Sequence, residues 1–401
     1  MSDKNIFDAK VFIDKQTHEI RQILGKNRAI IACSGGVDST TCAVLTRKAV
    51  GENLVCVFID TNFMRLGEPE NVIKTLSAPP MNLPIKLIDA RMKFMEALKQ
   101  LTDAEEKRKA FRNTFYSVLC EVAKNENCHF LVQGTILPDI IETTKGIKTQ
   151  HNVLEQIKID TSDIYGFKLV EPLVSLYKFQ VREVARCLGL PSESSERQPF
   201  PGPGLSVRVV GEVTSDKLEV EKKATMIVEQ ELEKLKPKQY FSAIIDSAWE
   251  TNYESERVKN AVSTLLGIEN NVNIGILKTR ATGIKAGKRL YGRILTVDAR
   301  DKSDRCVGPS AHTIDNIQKR IFDIDRTVSR VLYRVTDLNR KGQWLIAVRS
   351  VETLDFVTAS VSNIPWNVLR NIGEILLSSC KNVSAVYYDI TPKPPGSIEF
   401  E

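Results

Sequence analysis

Ser34-Gly35-Gly36-Val37-Asp38-Ser39 brings two glycines, two hydroxyls and a carboxylate together directly after the apolar run Ala29–Cys33. A turn of this kind between a strand and a helix presents backbone N–H groups at a helix N-terminus, which makes an anion site. Glycine lets the backbone come close to a phosphate. No Gly-Lys-Ser or Gly-Lys-Thr follows, so the loop lacks the lysine of a Walker A loop, and it is not G-x-G-x-x-G either. It carries Asp38 instead. A carboxylate beside phosphates makes chemical sense as a holder of Mg²⁺. The bare alternative is a tight turn that binds nothing.

Such a loop has to be carried by a sheet. Candidate strands are Ala29–Cys33, Leu54–Asp60, Ile85–Ala90 and Phe130–Gln133, and helical stretches fall near 39–50, 68–77 and 103–126. This alternation predicts βαβ units and a parallel sheet. Asp60 ends the second strand, at the carboxyl edge where nucleotides bind in open α/β sheets. Thr102 and Asp103 can cap the 103–126 helix. Lys107, Arg108, Lys109 and Arg112 crowd its first turns, the unfavourable end for positive charge. Either this is a solvated face or the charges have a task.

Arg197–Thr214, "RQPFPGPGLSVRVVGEVT", cannot be helix through its run of prolines and glycines. We place a domain boundary near 205. Helical patterns follow at 215–237 and 254–266. "ILTVDAR" and "WLIAVRSVE" are both strand-like and arginine-bearing, each after a turn rich in glycine and lysine, and read as diverged copies of one unit. The final stretch, "YYDITPKPPGSIEFE", is too apolar to read as a frayed end.

At roughly 100–200 residues per domain, 401 residues suggest two or three domains. The net charge of +6, from 56 basic and 50 acidic residues without long blocks of one sign, does not argue for nucleic acid. No apolar run is long enough to span a membrane. The eight cysteines form no C-x-x-C pair and sit mostly in apolar runs, as expected of a reduced, cytoplasmic protein.

S-G-G-x-D-S resembles the PP-loop of N-type ATP pyrophosphatases. "PFPGPGL" with "RVVGEVT", and "YDITPKPPGSIEFE", resemble the two most specific signatures of the GMP synthase family. "ALKQLTD", "EEKRK", "QGTILPDIIET" and "HNV" match it in the right order. The resemblance implies an α/β fold. A parallel-sheet ATP pyrophosphatase domain, of the adenine nucleotide alpha hydrolase-like kind (1–205), would precede an α+β dimerisation domain (206–401), with repeated units at about 206–305 and 306–401. It implies XMP + ATP + NH3 → GMP + AMP + pyrophosphate through an adenyl-XMP intermediate, with Mg²⁺.

By the same resemblance Ser34, Gly35, Gly36, Val37, Asp38, Ser39, Asp60 and Gly134 would bind ATP, with Asp38 on Mg²⁺. Arg108, Arg197, Phe200, Pro201, Arg349, Lys393, Ile398 and Glu399 would bind XMP. Asp38, Arg108 and His151 would serve catalysis, and Arg349 reads equally as a core-edge ion pair. Most family members carry a glutaminase domain of about 200 residues before the loop. Its absence here implies free ammonium or a separate glutamine amidotransferase subunit, in a homodimer or an internally pseudo-symmetric monomer.

Some positions depart from the family pattern. Gln198 stands for a histidine before "PFPGPGL", Gln150 for the first histidine of "HHN", and Gly287 for an acid. Two rivals therefore stay open: a tRNA-modifying PP-loop enzyme and a regulatory paralogue that only binds nucleotide. The modest charge and missing C-x-x-C count against the first, and the intact loop against the second.

Overall fold

A computed structural model describes residues 7–144, 166–191, 200–269, 271–285, 287–338, 340–353 and 358–401. The chain divides into two compact units, Met1–Ala97 with Ala110–Arg197, and Leu98–Lys109 with Gln198–Glu401.

The first unit is built on a five-stranded, wholly parallel sheet of β1 (Arg28–Ala32), β2 (Leu54–Asp60), β3 (Ile85–Asp89), β4 (Cys128–Val132) and β5 (Lys168–Val170), in the order β3-β2-β1-β4-β5. β2 is buried along all but its last residue, as a strand covered on both faces must be, and this is why its sequence is a continuous apolar run. The helices are α1 (Ala9–Leu24), α2 (Val37–Val50), α3 (Glu68–Ser77), α4 (Arg91–Leu98), α5 (Ala104–Asn125), α6 (Leu137–Thr144) and α7 (Lys178–Cys187). α1, α2 and α7 pack on one another through Ile20, Leu24, Leu45, Val181 and Val184. The Asp103 carboxylate accepts from the N–H groups of Glu105 and Glu106 and so caps α5 as its sequence predicts. The strand order turns back between β1 and β4. In open α/β sheets that crevice, at the carboxyl ends of the strands, is where ligands bind.

The second unit holds β6 (Val209–Val210), α8 (Ser215–Glu233), β7 (Gln239–Asp246), α9 (Glu256–Leu266), β8 (Val272–Lys285), β9 (Lys288–Ala299), α10 (Ala311–Ile324), β10 (Val328–Arg334), β11 (Trp344–Glu352), β12 (Ser360–Val361), α11 (Trp366–Ser379) and β13 (Val383–Asp389). Its main sheet runs β6-β7-β11-β13-β10-β9-β8, and β12 pairs with β11. From β7 to β8 the pairings are antiparallel, parallel, antiparallel, parallel, antiparallel, the same from either end. β9-α10-β10 and β11-α11-β13 are thus each a parallel crossover unit, and the two meet where β10 lies beside β13.

Register makes the two crossovers comparable residue by residue. Tyr333 pairs with Val297 in one, and Tyr388 with Val348 in the other. The next position along carries an ion pair in each, with its polarity reversed. Arg334 Nη1 lies 3.1 Å from Asp298 Oδ2, and Arg349 Nη1 lies 2.7 Å from Asp389 Oδ2. β10 ends at Arg334 and β11 begins at Trp344, so the chain passes from one parallel pair to the other between these residues. The helix after 305 belongs to the first, because a parallel β9–β10 pair needs a crossover.

Candidate functional site

The loop after β1 is held largely by its own hydroxyls. The Ser34 N–H donates to Ser39 Oγ at 3.3 Å, and Ser39 Oγ donates to the Gly36 carbonyl at 3.1 Å. Gly35 has φ +77°, and a Cβ there would stand 2.7 Å from Val72 Cγ2. Gly134, just past β4, approaches the same turn from the other side. A Cβ on it would meet the Asp38 carbonyl carbon at 3.0 Å and the Ser39 nitrogen at 3.1 Å. The reversal of strand order therefore brings two backbone segments together with no room for a side chain.

Asp38 sits in the first turn of α2, the favourable end for a carboxylate. Its Oδ2 accepts from Lys178 Nζ at 2.6 Å. Its Oδ1 is buried and has no hydrogen-bond partner. Among the described residues no cluster of three or more His, Cys, Asp or Glu side chains could hold a metal. Mg²⁺, however, commonly takes one or two carboxylates and draws its other ligands from phosphates and water. An orphaned, buried carboxylate oxygen in an anion-binding turn fits that use. Asp60 is occupied locally: its Oδ1 accepts from the Asn62 N–H at 2.9 Å, and its Oδ2 is 3.7 Å from Arg91 Nε.

In the second unit, three of the largest fully buried side chains are arginines, and all three grip the chain's last residues. Arg349 donates to Asp389 Oδ2 (2.7 Å) and to the carbonyls of Thr391 (3.0 Å), Ser397 (2.9 Å) and Ile398 (2.8 Å). Arg330 donates to Asp389 Oδ2 (3.0 Å), Ser397 Oγ (2.8 Å) and the Glu399 carbonyl. Arg208 forks onto the Glu399 carboxylate, Nε to Oε2 at 3.0 Å and Nη2 to Oε1 at 3.1 Å. Buried charge is costly unless paired and hydrogen-bonded; each of the three is paired with a carboxylate, although Arg208 Nη1 and Arg330 Nε are buried without a hydrogen-bond partner. Glu221, fully buried on α8, accepts from Ser242 Oγ (2.8 Å) and Thr225 Oγ1 (3.0 Å), and burial pushes its carboxyl up to about 8.

Glu401 is buried too. Its carboxylate accepts from Lys107 Nζ, from the Gly211 N–H at 2.8 Å and from the Tyr291 hydroxyl at 3.2 Å. Burial raises the affinity of this carboxyl for its proton. Arg108 donates to the Glu401 carbonyl and stands 3.5 Å from Glu105. Burial, and then the charge of Arg289, lower the Arg108 pKa. Two of the crowded positive charges at the start of α5, Lys107 and Arg108, thus have acidic and carbonyl partners within the second unit. A cavity of about 1020 Å³ lies elsewhere in this unit, walled by Lys238, Lys319, Phe322, Glu352, Lys393 and Pro394 among others.

The expected ATP residues Ser34 to Ser39 and Gly134 come together around one turn. Lys393 faces the cavity. Arg349 is fully buried, and four of its N–H groups are taken up inside the unit, its ion pair with Asp389 among them. Phe200 covers the Arg208 guanidinium, 5.2 Å from its ring centroid. The Pro201 carbonyl accepts from the Gly204 N–H at 2.9 Å and shapes a turn. Ile398 packs against the core under the sheet. His151 and Arg197 lie outside the described residues. Lys178 is the residue the motifs miss. Its only local signal is a lysine opening an amphipathic helix, and the sheet alone brings it to Asp38.

Residues 11–220 match the family model described as NAD synthase, and residues 334–400 match the GMP synthase C terminal domain. A GMP synthase (glutamine-hydrolyzing) subunit of Sulfurisphaera tokodaii is 43% identical over 395 residues, covering 98% of this chain and 100% of that protein. The corresponding protein of Saccharolobus solfataricus is 41% identical over 396 residues, and that of Methanopyrus kandleri 40% over 406, each covering 99% of this chain and 100% of its own.

Proposed function

This chain belongs to the GMP synthase family, as the synthetase subunit of an enzyme whose glutaminase is a separate chain, and from that premise we propose how its residues divide the work. It is a ligase of the PP-loop ATP pyrophosphatase type. The reaction is XMP + ATP + NH3 → GMP + AMP + pyrophosphate. The C2 oxygen of XMP is a poor leaving group. Bonding it to the α-phosphorus of ATP, with release of pyrophosphate, turns it into AMP. Ammonia then adds at C2 and AMP departs.

Catalysis of this kind is positioning and charge stabilisation, so no nucleophilic serine or cysteine is needed. The Ser34–Ser39 turn and the N-terminus of α2 would receive the phosphates. Asp38 would hold Mg²⁺ through Oδ1, and when bound the ion would neutralise charge on the departing pyrophosphate. The orphaned Oδ1, in a turn built of backbone N–H groups and hydroxyls, is the observation that carries this reading. Lys178 would supply the positive charge that a Walker loop carries within its own sequence. Lys393 would pair with the XMP phosphate, and Ile398 and Glu399 would contact its nucleoside. Arg108 would engage the adenylylated intermediate after leaving Glu401. The repeated halves of the second unit give the chain internally what a homodimer would give, so it would act as a monomer. Eight free cysteines suit a reducing cytoplasm.

Pure chain mixed with ATP, Mg²⁺, XMP and ammonium should give GMP and AMP one for one, resolved by chromatography. AMP and pyrophosphate without GMP would mean a different acceptor, and no ATP cleavage with or without a glutaminase partner would overturn the reading.

A further inference from the structure

We propose that Arg208 is a positioning residue for the nucleotide acceptor, acting through Glu399, whose carboxylate it holds in one fixed plane. This rests on the reading that Glu399 contacts XMP.

The contact is two-pronged, Nε to Oε2 at 3.0 Å and Nη2 to Oε1 at 3.1 Å. A guanidinium fork on a carboxylate fixes the orientation of the acceptor group as well as its distance. Each carboxylate oxygen carries two acceptor positions. The fork uses one on each and leaves one on each for a ligand. The other end of the residue is pinned independently. Arg330 takes the Glu399 carbonyl, and Arg349 takes those of Ser397 and Ile398. Backbone and carboxylate are therefore both immobilised before a nucleotide arrives.

Arg208 is itself held. Its guanidinium lies 4.2 Å from the Phe241 ring centroid and 5.2 Å from that of Phe200, so the flat cation is bounded by two rings. Exposure runs the other way along the pair. The Arg208 side chain is 1% exposed and that of Glu399 21%. The positive group is inside, and the carboxylate is the face presented outward.

Stability alone does not account for this design. A buried ion pair is often no more stabilising than apolar side chains of the same volume. Lysine would supply the charge as a point but could not fix a plane. The particular product of a stacked arginine at this place is an oriented acceptor pair, preorganised for hydrogen-bond donors on the nucleotide.

Steady-state kinetics of Glu399→Gln, Arg208→Lys and the double variant test this, with KM for XMP and ATP and kcat read separately. Glu399→Gln should raise KM for XMP about tenfold or more, the worth of one hydrogen bond to a charged group. Arg208→Lys should raise it by a comparable factor, leave KM for ATP unchanged, and add nothing in the double variant. If Glu399→Gln leaves KM for XMP unchanged, Glu399 is not an XMP contact and both readings fall. If it raises KM while Arg208→Lys does not, or the two effects add, only the positioning role of Arg208 is overturned. Should Arg208→Lys not fold, Phe200→Leu loosens one side of the guanidinium. Its rise in KM for XMP should vanish in the Glu399→Gln background. A rise that persists there would mean that Phe200 touches XMP directly, and would overturn the proposal.

Discussion

Lys178 Nζ lies 2.6 Å from Asp38 Oδ2, across a separation of 140 residues. The pair is part-exposed, 43% on the lysine and 28% on the aspartate, so it is worth little to the fold. What it does is hold an ammonium against the carboxylate of the turn after β1. Lys178→Met should lower kcat/KM for ATP by ~10- to 100-fold, the range for one hydrogen bond to a charged group. The melting temperature should stay within about 3 °C of the parent. AMP release against ATP concentration, beside a thermal melt, checks both.

Gly134→Ala would drive a methyl into the Asp38 carbonyl and the Ser39 nitrogen, which are backbone and cannot swing aside. The overpacking should cost about 1–3 kcal/mol, and displacement of the turn should raise KM for ATP. A lower melting temperature with KM for ATP unaltered would show that the turn had not moved.

Lys107 and Glu401 are both fully buried, and removing one leaves the other an uncompensated charge. Lys107→Met should cost about 3–5 kcal/mol in urea unfolding. Pairing it with Glu401→Gln should recover part of the loss. Equal losses in the single and double variants would contradict this.

Glu221 gives a pH dependence with a definite sign. Its carboxyl is pushed from 4.5 up to about 8 by burial, so the folded chain holds a proton that the unfolded chain has released. Stability from this group is complete below about pH 4.5 and drains away as pH rises towards 8. Glu221→Gln should therefore raise the melting temperature relative to the parent at pH 8 and leave it nearly unchanged at pH 5. A pH series of thermal melts decides it.

The paired halves of the second unit predict a mass near 45.0 kDa for the pure chain by analytical ultracentrifugation. A species of twice that mass at micromolar concentration would return the homodimer.

Much of the first unit can be read directly from the chain. β2 begins and ends at the expected residues, as does α3, because a parallel strand buried on both faces must be apolar throughout and turns bound it sharply. The Ser34–Ser39 turn between β1 and α2 is legible because its glycines and hydroxyls are local. The arginines are not. Arg208 and Arg330 carry no local signal in a linear chain, and Arg349 reads equally as a phosphate contact or a core-edge ion pair. Only the fold shows that their partners lie in residues 397–399, 48 to 191 residues away. Lys178 is hidden for the same reason: a strand order, not a motif, sets it beside Asp38.

The two parallel pairs in the second sheet carry the same ion pair in opposite senses, Asp298 with Arg334 and Arg349 with Asp389. That reversal makes the strands of one pair poor partners for those of the other. A recombination that joined the strand of Asp298 to the strand of Asp389 would set two carboxylates side by side, and the reciprocal product would face Arg349 with Arg334. Either hybrid would carry like charges in a largely buried sheet.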